Sequence, residues 1–377
     1  MGKGMLPKQY IVGKYAVGTK CFSIVDADRR EVLGDGTGNR RIPVRMYYPV
    51  NPEDVEGKPQ ARIFSKEKLA AVKKAYALRS IPEEMQTAAF YEDAPVSQEE
   101  KFPLILFSMG YRSYVESNTY LLCALASQGY IIASVGHAYE AVRNEYTDGT
   151  GDLFDPGINK LMYTNMVGAL FAQYRLMRKK MSPKEALTAF EAFQNKYTPY
   201  FKGRLLEWQK DAEKALDEVK RRYGDCIDTS HGIGAAGHSF GGCLAYYLCR
   251  YGEAFSCGIN MDGGFFGDYP DKIMEKPFCQ IGCRESINAE TRACFDTNAD
   301  TYYVLFDDMK HIGFTDAKFF MKAKAFVGTL DPDEMFRHLV YTHRTFFDRY
   351  LKGKEVTLEG LPGDKVEYKR VCSGNFI

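Results

Sequence analysis

Gly237-His238-Ser239-Phe240-Gly241 is the segment of this sequence whose residue types and spacing could do chemistry. A serine with glycine two residues to either side suits a sharp strand-to-helix turn. The serine takes strained backbone angles there, and bulk at the flanking positions would stop the chain folding back tightly. The surroundings agree, with Ile233-Gly234-Ala235-Ala236 as a buried strand before the turn and a helix-like run, Gly242 to Tyr251, after it. A serine hydroxyl is a weak nucleophile at neutral pH, so acyl transfer from such a turn needs a base to take the proton. Downstream of Ser239 the histidines are His311, His338 and His343. His338 and His343 fall inside a long amphipathic stretch, where side chains pack or face solvent. His311 instead lies in Met309-Lys310-His311-Ile312-Gly313-Phe314, just after the β-like run Tyr302 to Phe306, where a loop from the end of a strand belongs. It is the expected base.

The acid that would orient the imidazole has two candidates. Asp262 ends the run Gly258-Ile259-Asn260-Met261 and precedes Gly263-Gly264, whereas Glu285 lies beyond the next strand. Position in the chain does not choose between them. Around the serine, Met109, Gly110, His137 and Phe265 are candidate pocket residues, although His137, in Gly136-His137-Ala138-Tyr139-Glu140, suits a packing role better. His238 flanks the nucleophile and is expected to point away from it and pack.

These residues need a scaffold, and the pattern supplies one. Pro103-Leu104-Ile105-Leu106-Phe107, a helical stretch Asn118 to Gln128 and a second apolar run Tyr130 to Val135 make a strand, helix and strand within about thirty residues, the sign of a crossover in a parallel sheet. Gly232 to Ala236, Cys257 to Met261 and Pro277 to Gly282 add further strands. Tyr10 to Val50 reads as short antiparallel runs separated by glycine-rich turns, and residues 51–100 as a polar surface excursion with a lysine-rich helix near Ser65 to Arg79. The nearly all-helical stretch between the second and third core strands is too long for one crossover. Ser182-Pro183-Lys184-Glu185 starts a helix inside it, with Ser as N-cap and Glu closing a capping box. Residues 156–202, rich in Met, Phe and Tyr, are expected to form a helical cap or lid, and Arg204 to Tyr223 the crossover. Glu334 to Leu351 is a final amphipathic helix. The expectation is an α/β-hydrolase fold: a core of residues 1–155 and 203–377, with a mostly parallel central sheet flanked by helices, and the cap inserted.

Composition narrows the functional classes. Lys and Arg number 50 against 49 Asp and Glu, so the net charge of +1 gives no reason to expect nucleic acid, an anionic membrane or an acidic substrate as partner. The ten cysteines show no paired zinc-site spacing and read as free, buried thiols of a reducing compartment. The first ten residues lack the apolar core of a signal peptide, and no apolar run approaches spanning length, so a cytoplasmic protein without a stable membrane anchor is expected. Gly2 suggests myristoylation, but Leu6 stands where the signal requires Ser or Thr. Acyl transfer at such a serine requires neither metal nor organic cofactor.

Several segments together resemble the platelet-activating-factor acetylhydrolases and their bacterial relatives. They are Gly13-Lys14-Tyr15-Ala16-Val17-Gly18 with Arg45-Met46-Tyr47-Tyr48-Pro49; Leu106-Phe107-Ser108-Met109-Gly110; Ala126-Ser127-Gln128-Gly129-Tyr130 with Gly136-His137; the Ser239 turn; Ile259-Asn260-Met261-Asp262; and Lys310-His311 with Phe314. The resemblance spans most of the chain outside the cap. It implies a serine carboxylic ester hydrolase with Asp262 as the acid and an oxyanion hole made by the backbone N–H groups of Tyr111 and Phe240. The substrate it implies is a small ester or lipid with short to medium acyl chains, phospholipid-like molecules included. Where relatives commonly carry His-Gly this chain has Met109-Gly110, which alters the outer wall of that hole, and the cap leaves the family's substrate preference open. A lipase or polyester hydrolase with a larger acyl pocket, and a ligand-binding protein that has kept the three residues without turnover, are the alternatives.

Overall fold

The computed structural model describes residues 7–87, 90–269, 273–284, 297–372 and 375–376. Two long strands, β1 (Ala16–Arg30) and β2 (Asn39–Val50), pair as an antiparallel hairpin where the sequence pattern suggests shorter runs. Helix α1 (Lys66–Ala75) and the short strand β3 (Tyr91–Glu92) follow. The expected crossover is present as β4 (Phe102–Ser108), α2 (Thr119–Ser127) and β5 (Ile131–Val135), with β4 and β5 parallel. A separate small hairpin, β6 (Arg143–Glu145) and β7 (Gly151–Leu153), leads to helices α3 (Met166–Arg178), α4 (Pro183–Tyr197) and α5 (Pro199–Tyr223). Then come β8 (Ile227–Asp228), β9 (Ile233–His238), α6 (Phe240–Tyr251), β10 (Phe255–Met261), β11 (Phe278–Cys283), β12 (Thr301–Phe306), α7 (Pro332–Leu351), β13 (Val366–Cys372) and β14 (Asn375–Phe376).

Across the main sheet the order is β14-β13-β12-β11-β10-β9-β4-β5-β2-β1-β3, with β8 beside β4. The run from β12 to β5 is parallel, and antiparallel pairs flank it on both sides. Side chains alternate between the faces. Leu104 and Leu106 of β4 join a core with Leu205 and Trp208 of α5 and Leu244 of α6, while Ile105 and Phe107 join Tyr120 and Leu121 of α2 and Phe346 and Phe347 of α7. Helices cover both faces, which is why the central strands are apolar along their whole length.

The inserted region carries the expected capping box: Ser182 accepts from the Glu185 N–H, and Glu185 accepts from the Ser182 N–H. Its end differs from expectation. Residues 199–223 form one helix, so the break between cap and crossover expected at 202/203 falls inside it. Phe201, Leu205, Trp208, Ala212, Ala215 and Val219 make one continuous buried stripe, and that stripe carries the helix through Gly203. Among the described residues no helix is long and apolar enough to cross a membrane.

Candidate active site

The parallel strands point their carboxyl ends at one edge of the sheet, and the sequence-predicted site residues lie there: Gly110 and Tyr111 after β4, Ser239 after β9, Asp262 after β10 and His311 after β12. The turn at Ser239 is tight. Its φ is +57° and ψ −123°, in the left-handed half of backbone space that a side chain occupies only under constraint. The constraint is visible in the Ser239 N–H, which donates to the Met261 carbonyl at 2.9 Å, and in the glycines around it. A Cβ on Gly237 would lie 2.3 Å from the Gly241 backbone, and one on Gly241 would lie 2.1 Å from the Ser108 carbonyl oxygen. The chain folds back only because both positions lack a side chain.

Ser239 Oγ lies 2.8 Å from His311 Nε2, and His311 Nδ1 lies 2.7 Å from Asp262 Oδ2. With Nδ1–H donating to the carboxylate, Nε2 is left to accept from the serine hydroxyl. Asp262 itself has φ +52°; its N–H donates to the Ile281 carbonyl at 2.7 Å, and Oδ1 accepts from the Cys283 N–H at 3.1 Å. The Asp262 side chain is 2% exposed while the imidazole is 48% exposed, so the carboxylate is enclosed and the imidazole opens on solvent. The alternative acid, Glu285, lies outside the described residues.

His238 packs, as expected, but not away from the site. Its ring sits 4.7 Å from that of His311, and its Nε2–H donates to the His311 carbonyl at 2.9 Å. Burial, with the neighbouring His311, pushes its pKa down to about 3, which keeps it neutral and able to make that bond. Phe240 is the first residue of α6, so its N–H has no carbonyl one turn back, and Tyr111 opens the turn closed by Ser113 N–H to the Gly110 carbonyl at 3.0 Å. Among the described residues neither the Tyr111 nor the Phe240 N–H is taken by a backbone carbonyl.

Behind this edge lies a buried ionic cluster that the sequence does not announce. Asp211 of α5 accepts from Arg40 Nη2 and Arg29 Nη2, both at 2.7 Å, and from His137 Nδ1 at 2.8 Å. His137 Nε2 lies 3.3 Å from Ser108 Oγ, so Ser108, His137 and Asp211 form a second Ser-His-Asp line, each member no more than 1% exposed. Glu140 accepts from Arg204 at 2.6 Å and from the Trp208 indole N–H at 2.9 Å. Trp208 stacks on His137 at 3.6 Å and meets the rings of Phe240 and Tyr111 at 4.7 and 6.0 Å. The cluster therefore backs both Tyr111 and Phe240.

Ser239, His238 and His311 open on a cleft of about 970 Å³. Its walls are α1, the Gly110–Ser113 turn, the β6–β7 hairpin with Phe154, and the loop from His311 to Phe326. Of the four candidate pocket residues, Gly110 lines it. The other three do not: Met109 is buried with Val115 and Ala141, His137 belongs to the ionic cluster, and Phe265 packs against Tyr246 at 4.4 Å. Each is an apolar or hydrogen-bonded side chain turned into the core by the strand or turn that carries it. Nor do helices α3 and α4 contribute to the cleft lining, whereas α1, which the sequence presents as surface, does.

A mostly parallel sheet wrapped by helices, with a glycine-bounded serine turn after a central strand, defines an α/β-hydrolase. Residues 3–276 match the family described as platelet-activating factor acetylhydrolase, isoform II, and the chain belongs to that family. The solved ferulic acid esterase from Streptomyces cinnamoneus matches over 95% of this chain and 97% of its own, with a TM-score of 0.71 at 23% identity, a likeness of fold. Platelet-activating factor acetylhydrolase from Cavia porcellus is 24% identical over 249 residues, 62% of this chain and 52% of the relative. That from Bos taurus is 26% identical over 169 residues, 44% of this chain and 36% of the relative. The chain thus spans about half the length of these curated relatives or less.

Proposed function

We propose that the protein is a serine carboxylic ester hydrolase acting on short- to medium-chain acyl esters. The observation that carries this is the hydrogen-bonded line Ser239–His311–Asp262, its nucleophile strained at φ +57° and facing the cleft. In this reading His311 Nε2 takes the hydroxyl proton as Ser239 Oγ attacks the ester carbonyl, and Asp262 holds the imidazole in the required tautomer. The N–H groups of Tyr111 and Phe240 stabilise the oxyanion. Such a donor typically contributes about 2.7–4 kcal/mol to lowering the barrier, which gives the Trp208 backing of both residues a purpose. The alcohol leaves with the proton from His311, and water, activated by the same base, releases the acyl group. The core, α5 included, works as one hydrolase unit with helices α3 and α4 inserted into it.

The test is labelling by a fluorophosphonate probe together with hydrolysis of 4-nitrophenyl acetate, butyrate and octanoate by wild type, Ser239→Ala and His311→Ala. Labelling and turnover in wild type that vanish in both variants support the reading. Octanoate as the best substrate would move it to a lipase-like enzyme. A folded wild type that neither labels nor turns over would refute it and favour a ligand-binding protein.

A further inference from the structure

We propose that the cleft recognises an ester bearing an anionic group, a carboxylate or a phosphate, and that Arg112 with Lys74 binds that group. The proposal rests on the hydrolase reading of the same cleft and adds a substrate class to it. The protein as a whole is nearly neutral, but the cleft is not: its charged wall residues are Lys74, Arg112 and Arg143 against Glu67 alone. Arg143 is engaged by Glu145 at 3.2 Å. Arg112 and Lys74 are exposed and, among the described residues, neither has a carboxylate partner. Two cations with no internal counter-charge on a wall otherwise made largely of Ala70, Ala71, Tyr76, Phe154 and Ile312 concentrate positive potential where a ligand enters.

Arg112 carries a second mark. It has φ +58°, a left-handed conformation suited to Gly or Asn, in the turn directly after Tyr111. A long charged side chain kept at such a position needs a reason, and its surroundings aim it rather than bury it. The guanidinium lies 4.5 Å from the Phe154 ring centroid, Nη1 is 3.4 Å from Asn159 Oδ1, and the backbone N–H is fixed to the Glu140 carbonyl at 2.9 Å. The guanidinium is thus stacked on an aromatic of the cleft wall, with donors left for an oxyanion. Lys74 taken alone has a plainer explanation, since it ends α1 and complements the helix dipole; its place on the same wall recruits it to the same task.

The experiment measures kcat/KM for matched charged and neutral esters: 4-nitrophenyl hemisuccinate against its methyl ester, 4-acetoxybenzoate against methyl 4-acetoxybenzoate, and 4-acetoxyphenyl phosphate against phenyl acetate. The first two pairs report which side of the ester bond carries the charge, and the third separates phosphate from carboxylate. In at least one pair the charged ester is favoured about tenfold, the factor typical of one charge-assisted hydrogen bond. That ratio falls about tenfold in Arg112→Gln, falls in Lys74→Gln, is retained in Arg112→Lys, rises in Glu67→Gln and shrinks with added salt. Because the ratio is read within one variant, a general loss of folded enzyme leaves it unmoved. Arg112→Gly, which relieves the left-handed strain, loses the preference without a lower Tm. No preference in any pair, or a preference untouched by Arg112→Gln, overturns the proposal. If neutral esters are still hydrolysed through Ser239, the hydrolase reading stands; if no ester is turned over and no probe attaches, that reading fails first.

Discussion

Replacing Asp211 by Asn tests whether the buried ionic cluster holds the wall behind the Ser239 edge. Asp211 is fully buried and takes four hydrogen bonds, from Arg40 Nε at 3.2 Å and Nη2 at 2.7 Å, Arg29 Nη2 at 2.7 Å and His137 Nδ1 at 2.8 Å. Burial by itself would raise its pKa, but Arg40 and His137 outweigh burial and hold the carboxyl well below the usual carboxylate range. An amide of the same shape has one acceptor oxygen in place of two and turns an NH2 toward the guanidinium groups. Neutralising one partner of a buried pair costs about 3–5 kcal/mol. Arg40 keeps Glu31 at 2.9 Å and Glu140 at 3.2 Å, which sets the expected loss at the lower end, about 3 kcal/mol. At about 2.1 cal/mol/K per residue the unfolding entropy is about 0.8 kcal/mol/K, so Tm falls by about 4 °C. The assay is urea and thermal unfolding followed by fluorescence of Trp208, the single tryptophan, which sits in the cluster. The control is Glu218→Gln, which removes the partner of the exposed Arg221 and is expected to change stability by less than about 1 kcal/mol. Because the folded pKa of Asp211 is depressed, its contribution is present above the ordinary carboxylate range and lost as pH falls toward the folded value. The gap between wild type and Asp211→Asn therefore narrows in acid. A loss no larger than that of Glu218→Gln would refute the reasoning.

Asp262→Asn lowers kcat about 10⁴-fold by presenting the wrong tautomer to Ser239, and a fall of less than tenfold in steady-state turnover would assign the orienting acid elsewhere. Gly241→Ala drives a Cβ to 2.1 Å from the Ser108 carbonyl oxygen and abolishes probe labelling, whereas Gly203→Ala, with open space around it inside α5, raises stability by about 0.5–1 kcal/mol in urea unfolding. Burial pushes the pKa of His343 down to about 4, so the unfolded chain takes that proton first. The corresponding stability is complete above about pH 6.5 and lost as pH falls toward 4, up to about 3 kcal/mol. In a Tm-against-pH series His343→Leu should flatten that acid limb by up to one proton.

The parts of the site legible in the sequence are those that local chain geometry dictates. The glycine spacing around Ser239 is a steric requirement of one turn, and His311 follows a strand whose apolar run is continuous, so both can be read within a few residues. The bond from His311 to Asp262 joins residues 49 apart, and nothing local separates Asp262 from Glu285. The ionic cluster is harder still: Arg40 and Asp211 meet across 171 residues, and charged side chains are by default expected at the surface. The lysine-rich pattern of α1 reads as a solvent-facing helix because it is one; the sequence does not say that the solvent it faces is the inside of a cleft. Likewise, Met109, His137 and Phe265 stand close to functional positions along the chain while their side chains turn into the core.

A geometric template built from a serine, an imidazole and a carboxylate matches both of two lines among the described residues. Ser239–His311–Asp262 opens on water, while Ser108–His137–Asp211 is sealed beneath it. The sealed copy gives the protein a built-in reporter. As long as the native state holds, a phosphonylating reagent has no path to Ser108, so any adduct on the Ser108 peptide counts molecules whose core has opened. Mass spectrometry of one labelled sample would then read two quantities at once, the reactivity of the open serine and the frequency of opening around the closed one.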